Sequence, residues 1–173
     1  MVDETLTIAA INELGEAAFL DRFGGIAEHS PWVAATAFDA YPFASRMVMV
    51  DAFQRAVGNA TRAKQEALLR AHPDLAGKLA AAGTLEPDSR REQAGAGLDT
   101  LDAGELARFH DLNDRYVARF GFPFILAVKG ATKHQILDAF SSRIAGGHEE
   151  EFLTALAQVM RIIRFRLEDR VDA

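Results

Sequence analysis

The sequence predicts an all-α domain, and three observations carry that expectation. Alanine, the strongest helix former, occurs 32 times. Valine and isoleucine together occur 17 times, scattered rather than alternating, so no two-residue strand period emerges. Apolar residues instead recur at spacings of three and four, in stretches bounded by capping residues, glycines and prolines.

The elements follow in chain order. The segment to about Phe23 reads as one or two short helices broken near Asn12 and Gly15 and ended by Gly24-Gly25. Ser30-Pro31 has the form of an N-cap followed by proline at the first helical position, opening a short helix with Trp32 that Tyr41-Pro42 stops. A helix from Ser45 to about Val57 carries Met47, Val48, Val50, Phe53 and Val57 and stops at Gly58-Asn59. Thr61 to Ala71 forms the next, ended by His72-Pro73. Pro73 to Gly97 is the least regular stretch, with a short alanine-rich piece around Leu79 to Ala82. Asp102 to Phe120 carries one stripe, Leu106, Phe109, Asn113, Val117 and Phe120. Phe122 to Val128 is an apolar run with no partner strand, hence a buried extended or helical piece. Thr132 to about Ala145 and Glu149 to about Val171 are the closing helices. No repeat, low-complexity tract or linker divides residues 1–173, which are expected to form one domain.

Composition removes whole classes of function. There is no cysteine, which excludes disulfides, thiolate metal sites and a cysteine nucleophile. Asp and Glu outnumber Lys and Arg by 25 to 19, a net charge of −6 that disfavours nucleic acid and anionic membranes. No apolar run approaches the roughly 20 residues of a membrane span, and the acidic start Met1-Val2-Asp3-Glu4 lacks a signal-peptide n-region. Metalloprotease, EF-hand, P-loop and dinucleotide motifs are all missing from the sequence. The five histidines are widely spaced, and His148 with Glu149 to Glu151 matches no standard ligand pattern. Those acidic residues suit a helix start, and Arg161, Arg164 and Arg166 suit a solvated basic face near a helix C-terminus.

Three places hold residues that helix building does not need. In Ala71-His72-Pro73, proline restrains His72 at a helix exit, where the dipole favours an imidazolium; it serves there as a C-terminal cap or as a general acid/base. Ser89-Arg90-Arg91-Glu92-Gln93 has the capping-box form Ser-x-x-Glu. Its helix-start amides, Ser89 and Gln93 also suit an anionic or carbonyl-rich ligand, with Glu92 able to pair with His72. Arg119-Phe120-Gly121-Phe122-Pro123-Phe124-Ile125 fits either core packing or an apolar wall whose backbone faces a pocket.

Taken together these motifs resemble the 2-oxo-4-hydroxy-4-carboxy-5-ureidoimidazoline (OHCU) decarboxylase family, which completes the route from urate to (S)-allantoin. The matching residues are Trp32 after Ser30-Pro31, Pro42-Phe43, Ala71-His72-Pro73, Ser89 with Glu92-Gln93, Ala96-Gly97-Leu98, Leu112-Asn113 with Tyr116, Phe120 to Ile125, Gly130, Ile136-Leu137 and Arg143. They span nearly the whole chain. One departure is Ala145-Gly146-Gly147-His148, where the family often has asparagine.

The resemblance implies an all-helical homodimer that works on a small molecule without metal or organic cofactor. It implies His72 as the catalytic acid/base and Glu92 as its supporting carboxylate. Substrate contacts are implied for Pro73, Ser89, Arg90, Arg91, Gln93, the segment Phe124, Ile125, Leu126, Ala127 and Val128, and Arg143, with Arg166 a weaker match. The substrate's own ring C=N bond would be the electron sink. Val171-Asp172-Ala173 is not a peroxisomal address, so a cytoplasmic protein is expected. The alternatives are a decarboxylase or hydrolase of a related ureido heterocycle, and a non-catalytic helical dimerisation module whose apolar face would lie around Trp32, Phe43 and Phe122.

Overall fold

The computed structural model describes residues 5–77 and 83–173, so the expected alanine-rich piece at Leu79 to Ala82 lies outside the described residues. The described residues form nine helices: α1 Ile8–Ile11, α2 Glu16–Phe23, α3 Trp32–Phe38, α4 Arg46–Gly58, α5 Arg62–Ala71, α6 Pro87–Gly95, α7 Ala103–Phe120, α8 Lys133–Arg143 and α9 His148–Glu168. None of these residues forms a strand beyond one isolated parallel bridge, Leu6 with Val171. None of the described helices is long and apolar enough to cross a membrane. The all-α expectation holds.

Caps explain most boundaries. Ser45 accepts from the Val48 amide at 3.2 Å and starts α4. Asp102 with Glu105, and Thr132 with Gln135, form complete capping boxes at the starts of α7 and α8. Gly121, at φ +78°, ends α7 in the left-handed conformation that glycine tolerates. Two expected starts differ. Helix α3 begins at Trp32 with Pro31 in the cap position and no side-chain cap, and Ser30 is buried beside it. Helix α6 begins at Pro87, so Ser89 is its third residue and the expected Ser89…Glu92 capping box does not form. Proline at the first position needs no amide partner and presets φ, which outweighs a serine cap two residues later.

Contacts sort the chain into two compact units, Met1–Ala71 with Val159–Ala173, and His72–Gln158. In the first, α3 packs on α4. Phe19 is the hub, with ring centroids 5.0 Å from Phe23, 5.1 Å from Phe38, 5.8 Å from Phe43 and 6.2 Å from Phe53. Asn12, the residue that ends α1, locks Phe43 through both backbone groups, at 2.7 and 2.9 Å. Arg166 is buried, contrary to the expected solvated face. Its guanidinium donates to the Ile26 carbonyl at 3.1 Å and pairs with buried Glu28. Arg166 follows Val159 and Ile163 on the apolar stripe of α9, so its partners are long-range rather than solvent.

In the second unit α7 is the spine. Its buried face is Phe109, Leu112, Asn113, Tyr116 and Phe120. Val117, expected on that face, is exposed at 41%, because the stripe is turned toward Tyr116. Tyr116 lies 4.5 Å from Phe120, 5.4 Å from Phe124 and 5.8 Å from Phe140 between ring centroids. Phe124 stacks on Phe140 at 3.9 Å.

Candidate functional site

Every residue singled out for substrate or catalysis except Arg166 belongs to the second unit. His72 follows the last residue of α5 and is buried, 8% exposed. The chain then runs through Pro73 into a tight turn, Asp74 to Gly77, whose geometry is heavily determined. Ala76 has φ +50°, an unfavourable region for a residue with a Cβ. Both of its backbone polar groups are held from other elements. Its N–H donates to Gln93 Oε1 at 3.0 Å, and His110 Nε2 lies 3.2 Å from its carbonyl. Asn113 Nδ2 donates to the Leu75 carbonyl at 2.9 Å, and Gln93 Nε2 lies 3.5 Å from the Asp74 carbonyl. A Cβ on Gly77 would come within 2.5 Å of the Asp74 Cβ, so the turn also needs glycine there. Strained backbone of this kind persists where the surroundings over-determine it, as often happens at functional sites.

Helix α6 therefore carries a residue that binds the turn directly. Gln93 is buried, and its amide joins the Asp74 to Gly77 turn to α6. Ser89, also buried, lies four residues before Gln93, and Glu92 beside Gln93 is half-buried. The two arginines between them are engaged close to their own helix. Arg90 donates to the carbonyls of Gly83 at 3.0 Å and Leu85 at 3.1 Å, and Arg91 forms an ion pair with Asp88. Both stabilise the start of their own helix.

The apolar run resolves as an irregular, largely buried segment, 123–128, neither helix nor strand, with Phe124 to Val128 the expected wall. Its backbone is held by side chains. Ala127 N–H donates to Gln158 Oε1 at 3.0 Å, and the Ile125 carbonyl accepts from Arg143 Nη1 at 2.8 Å. Arg143 does more than this. Its Nε reaches the two Glu151 carboxylate oxygens at 3.1 and 3.2 Å, and its Nη2 reaches Oε2 at 3.1 Å. Its guanidinium carbon lies 4.4 Å from the Phe124 ring centre. The Tyr116 hydroxyl completes the group by donating to Glu151 Oε2 at 2.5 Å. Burial, and then the hydrogen bond to Glu151, hold the Tyr116 phenol well above its ordinary pKa.

Asn113 and Tyr116, one turn apart on α7, thus link the two halves of the site. Asn113 holds the turn after His72. Tyr116 reaches the wall through Glu151 and Arg143. Both match the family pattern in sequence, and the resemblance assigns neither a role. Glu151 is expected as a helix-start charge, yet it lies four residues before Ala155 and eight before Val159 on the buried stripe of α9. A carboxylate on an apolar stripe was the available signal.

Among the described residues no group of three or more His, Asp or Glu side chains is gathered as for a metal ion, His148 and its neighbours included. A cleft of about 420 Å³ lies between α3 and α4, lined by residues such as Asp39, Asp51 and Arg55, and it contains none of the candidate residues. The apolar face that a dimerisation module would need is not formed by Phe43 and Phe122, which are buried at 1% and 4% exposure.

Residues 12–168 match the family model described as OHCU decarboxylase. The 2-oxo-4-hydroxy-4-carboxy-5-ureidoimidazoline decarboxylase of Haloferax volcanii is 42% identical over 168 residues, covering 97% of this chain and 98% of that protein. The uric acid degradation bifunctional protein PucL of Bacillus subtilis is 40% identical over 163 residues, covering 94% of this chain and 32% of that protein. A crystal structure of (S)-allantoin synthase superposes with a TM-score of 0.77 at 33% identity, over 96% of this chain and 55% of that one.

Proposed function

The chain belongs to the OHCU decarboxylase family, and we propose that it decarboxylates 2-oxo-4-hydroxy-4-carboxy-5-ureidoimidazoline to (S)-allantoin in urate breakdown, without a cofactor. The observation that carries this reading is a buried histidine at a helix exit. The turn that follows His72 is held in strained geometry by Gln93, His110 and Asn113. A general acid/base needs fixed aim more than it needs charge, and such a turn supplies it.

The chemistry asks little of the protein beyond position. The substrate carries its carboxylate on the hydroxyl-bearing ring carbon, next to the C=N carbon that bears the ureido group. Breaking the bond to the carboxylate releases carbon dioxide. The electron pair left behind forms a carbon–carbon double bond, and the C=N electrons move to the ring nitrogen, which takes up a proton. His72 accepts the hydroxyl proton, which re-forms a carbonyl. A proton delivered to one face of the ureido-bearing carbon then makes (S)-allantoin. Glu92 holds the imidazole tautomer and supports its charged form. Pro73, Ser89, Gln93 and the Phe124 to Val128 backbone fix the ring, and Arg90 and Arg91 act through the helix start that they stabilise.

Residues 1–173 act as one catalytic domain in a cytoplasmic homodimer, with neither nucleic acid nor membrane as a partner. The net charge of −6 supports the last point. The test generates the intermediate from urate with uricase and hydroxyisourate hydrolase and follows circular dichroism. The (S)-allantoin signal should grow in proportion to added protein. Allantoin forming only at the uncatalysed, racemic rate would refute the reading.

A further inference from the structure

We infer that Arg143, Glu151 and Tyr116 form a charge-neutral buried bracket that positions the Phe124 to Val128 segment, so that Arg143 acts through the Ile125 carbonyl rather than on the substrate carboxylate. The inference rests on the proposed activity only for its kinetic part.

Three features carry it. All three guanidinium nitrogens of Arg143 are engaged inside the unit, Nε and Nη2 by Glu151 and Nη1 by Ile125. Glu151 is buried, with its side chain 4% exposed, and the Arg143 side chain is 15% exposed. A carboxylate buried this deeply requires a matched cation, and Arg143 satisfies it in two-pronged geometry. The guanidinium charge is thereby cancelled where it stands. A substrate carboxylate competing for it would have to displace Glu151 and leave that charge unpaired in the interior, which costs far more than a single new ion pair returns.

The bracket has three anchors on the segment and its neighbours. Nη1 fixes the Ile125 carbonyl, the guanidinium faces the Phe124 ring, and Tyr116 is surrounded by the rings of Phe120, Phe122 and Phe124. The segment has no neighbouring strand to hold its backbone, since none of the described residues forms a ladder with it. Side chains must therefore do what a sheet would do elsewhere. Arg143 from the end of α8, Tyr116 from α7 and Glu151 from the first turn of α9 bring three helices to bear on one stretch of irregular chain. They are positioning residues.

The test compares Arg143→Lys with Tyr116→Phe, the latter losing only a hydroxyl and so the better able to fold. Hydrogen–deuterium exchange of the peptide spanning 122–130 is measured first, because it needs no activity. Exchange should quicken in both variants, with protection elsewhere in the unit retained. Unchanged protection of that peptide in both overturns the inference. Kinetics then separate the two roles of Arg143. (S)-Allantoin lacks the substrate's carboxylate, so a positioning role raises KM and weakens (S)-allantoin binding together, by about tenfold or more in Arg143→Lys, with Tyr116→Phe moving both in the same direction. A rise in KM with (S)-allantoin binding unchanged would mean that Arg143 holds the carboxylate. Loss of the proposed activity would be recognised separately, because wild-type turnover would then be absent while the exchange result stood.

Discussion

The interior of the first unit, Met1–Ala71 with Val159–Ala173, sets a cluster of phenylalanine rings among more numerous aliphatic side chains. Phe19 gathers four rings, and among the described residues the buried polar side chains are Glu28, Ser30 and Arg166. The second unit, His72–Gln158, has an equally dense aromatic cluster around Tyr116 but also buries His72, Asp88, Ser89, Gln93, Asn113 and Glu151. Burying a polar group costs stability unless it finds a partner. In the second unit Asn113 and Gln93 find theirs on irregular chain, at Leu75 and Ala76, and Glu151 finds Arg143, which also holds the Ile125 carbonyl. The first unit uses its interior to hold helices together and, through Asn12 and Arg166, to fix the loop backbone at Phe43 and Ile26. In the second unit the backbone that is held in this way carries the candidate site.

The comparison can be broken from either side. Phe19→Ala should cost about 3–5 kcal/mol of stability, as large aromatic truncations in cores do. The protein that remains folded should turn over normally. A slowed folded enzyme would show that the first unit also shapes the site. Asn113→Leu should cost about 1–3 kcal/mol, since it leaves the Leu75 carbonyl without its donor. It should also lower turnover in protein whose helical signal is intact. Stability loss without any change in turnover would reduce Asn113 to packing. Thermal melts beside steady-state rates read both variants.

A smaller effect concerns alkali. Burial and Glu151 raise the Tyr116 pKa above its ordinary value of 10.0. The unfolded chain therefore releases that proton first as pH rises, and the folded state retains it. Stability from this group is complete below about pH 10 and declines as pH climbs beyond it. Denaturant titrations at pH 9 and above should show the decline in the wild type and a shallower one in Tyr116→Phe. Equal slopes would mean that the phenol is not held as described.

How far the sequence was legible depended on whether a feature was local. Ser45, the Asp102 and Thr132 capping boxes and Gly121 are short-range signals, and each marks its helix boundary correctly. His72-Pro73 and the Phe122 to Val128 run were visible because helix geometry does not need them. Ser89 was misplaced because two local signals competed and Pro87 prevailed. Arg166, expected on a solvated face, and Glu151, expected as a helix-start charge, find their partners outside their own helix, Glu28 and Ile26 for one, Tyr116 and Arg143 for the other, and no local pattern shows such partners. The strained turn at Ala76 left no trace in composition, since its geometry is imposed by Gln93, His110 and Asn113.

The central claim is that the buried polar interior of the second unit serves to aim His72. The most direct measurement is turnover by His72→Asn, followed as the growth of the (S)-allantoin circular dichroism signal alongside a thermal melt. Removal of a general acid/base should lower turnover by about 10²–10⁴-fold, with the melting temperature close to that of the wild type. Near wild-type turnover in a folded His72→Asn protein would contradict the account.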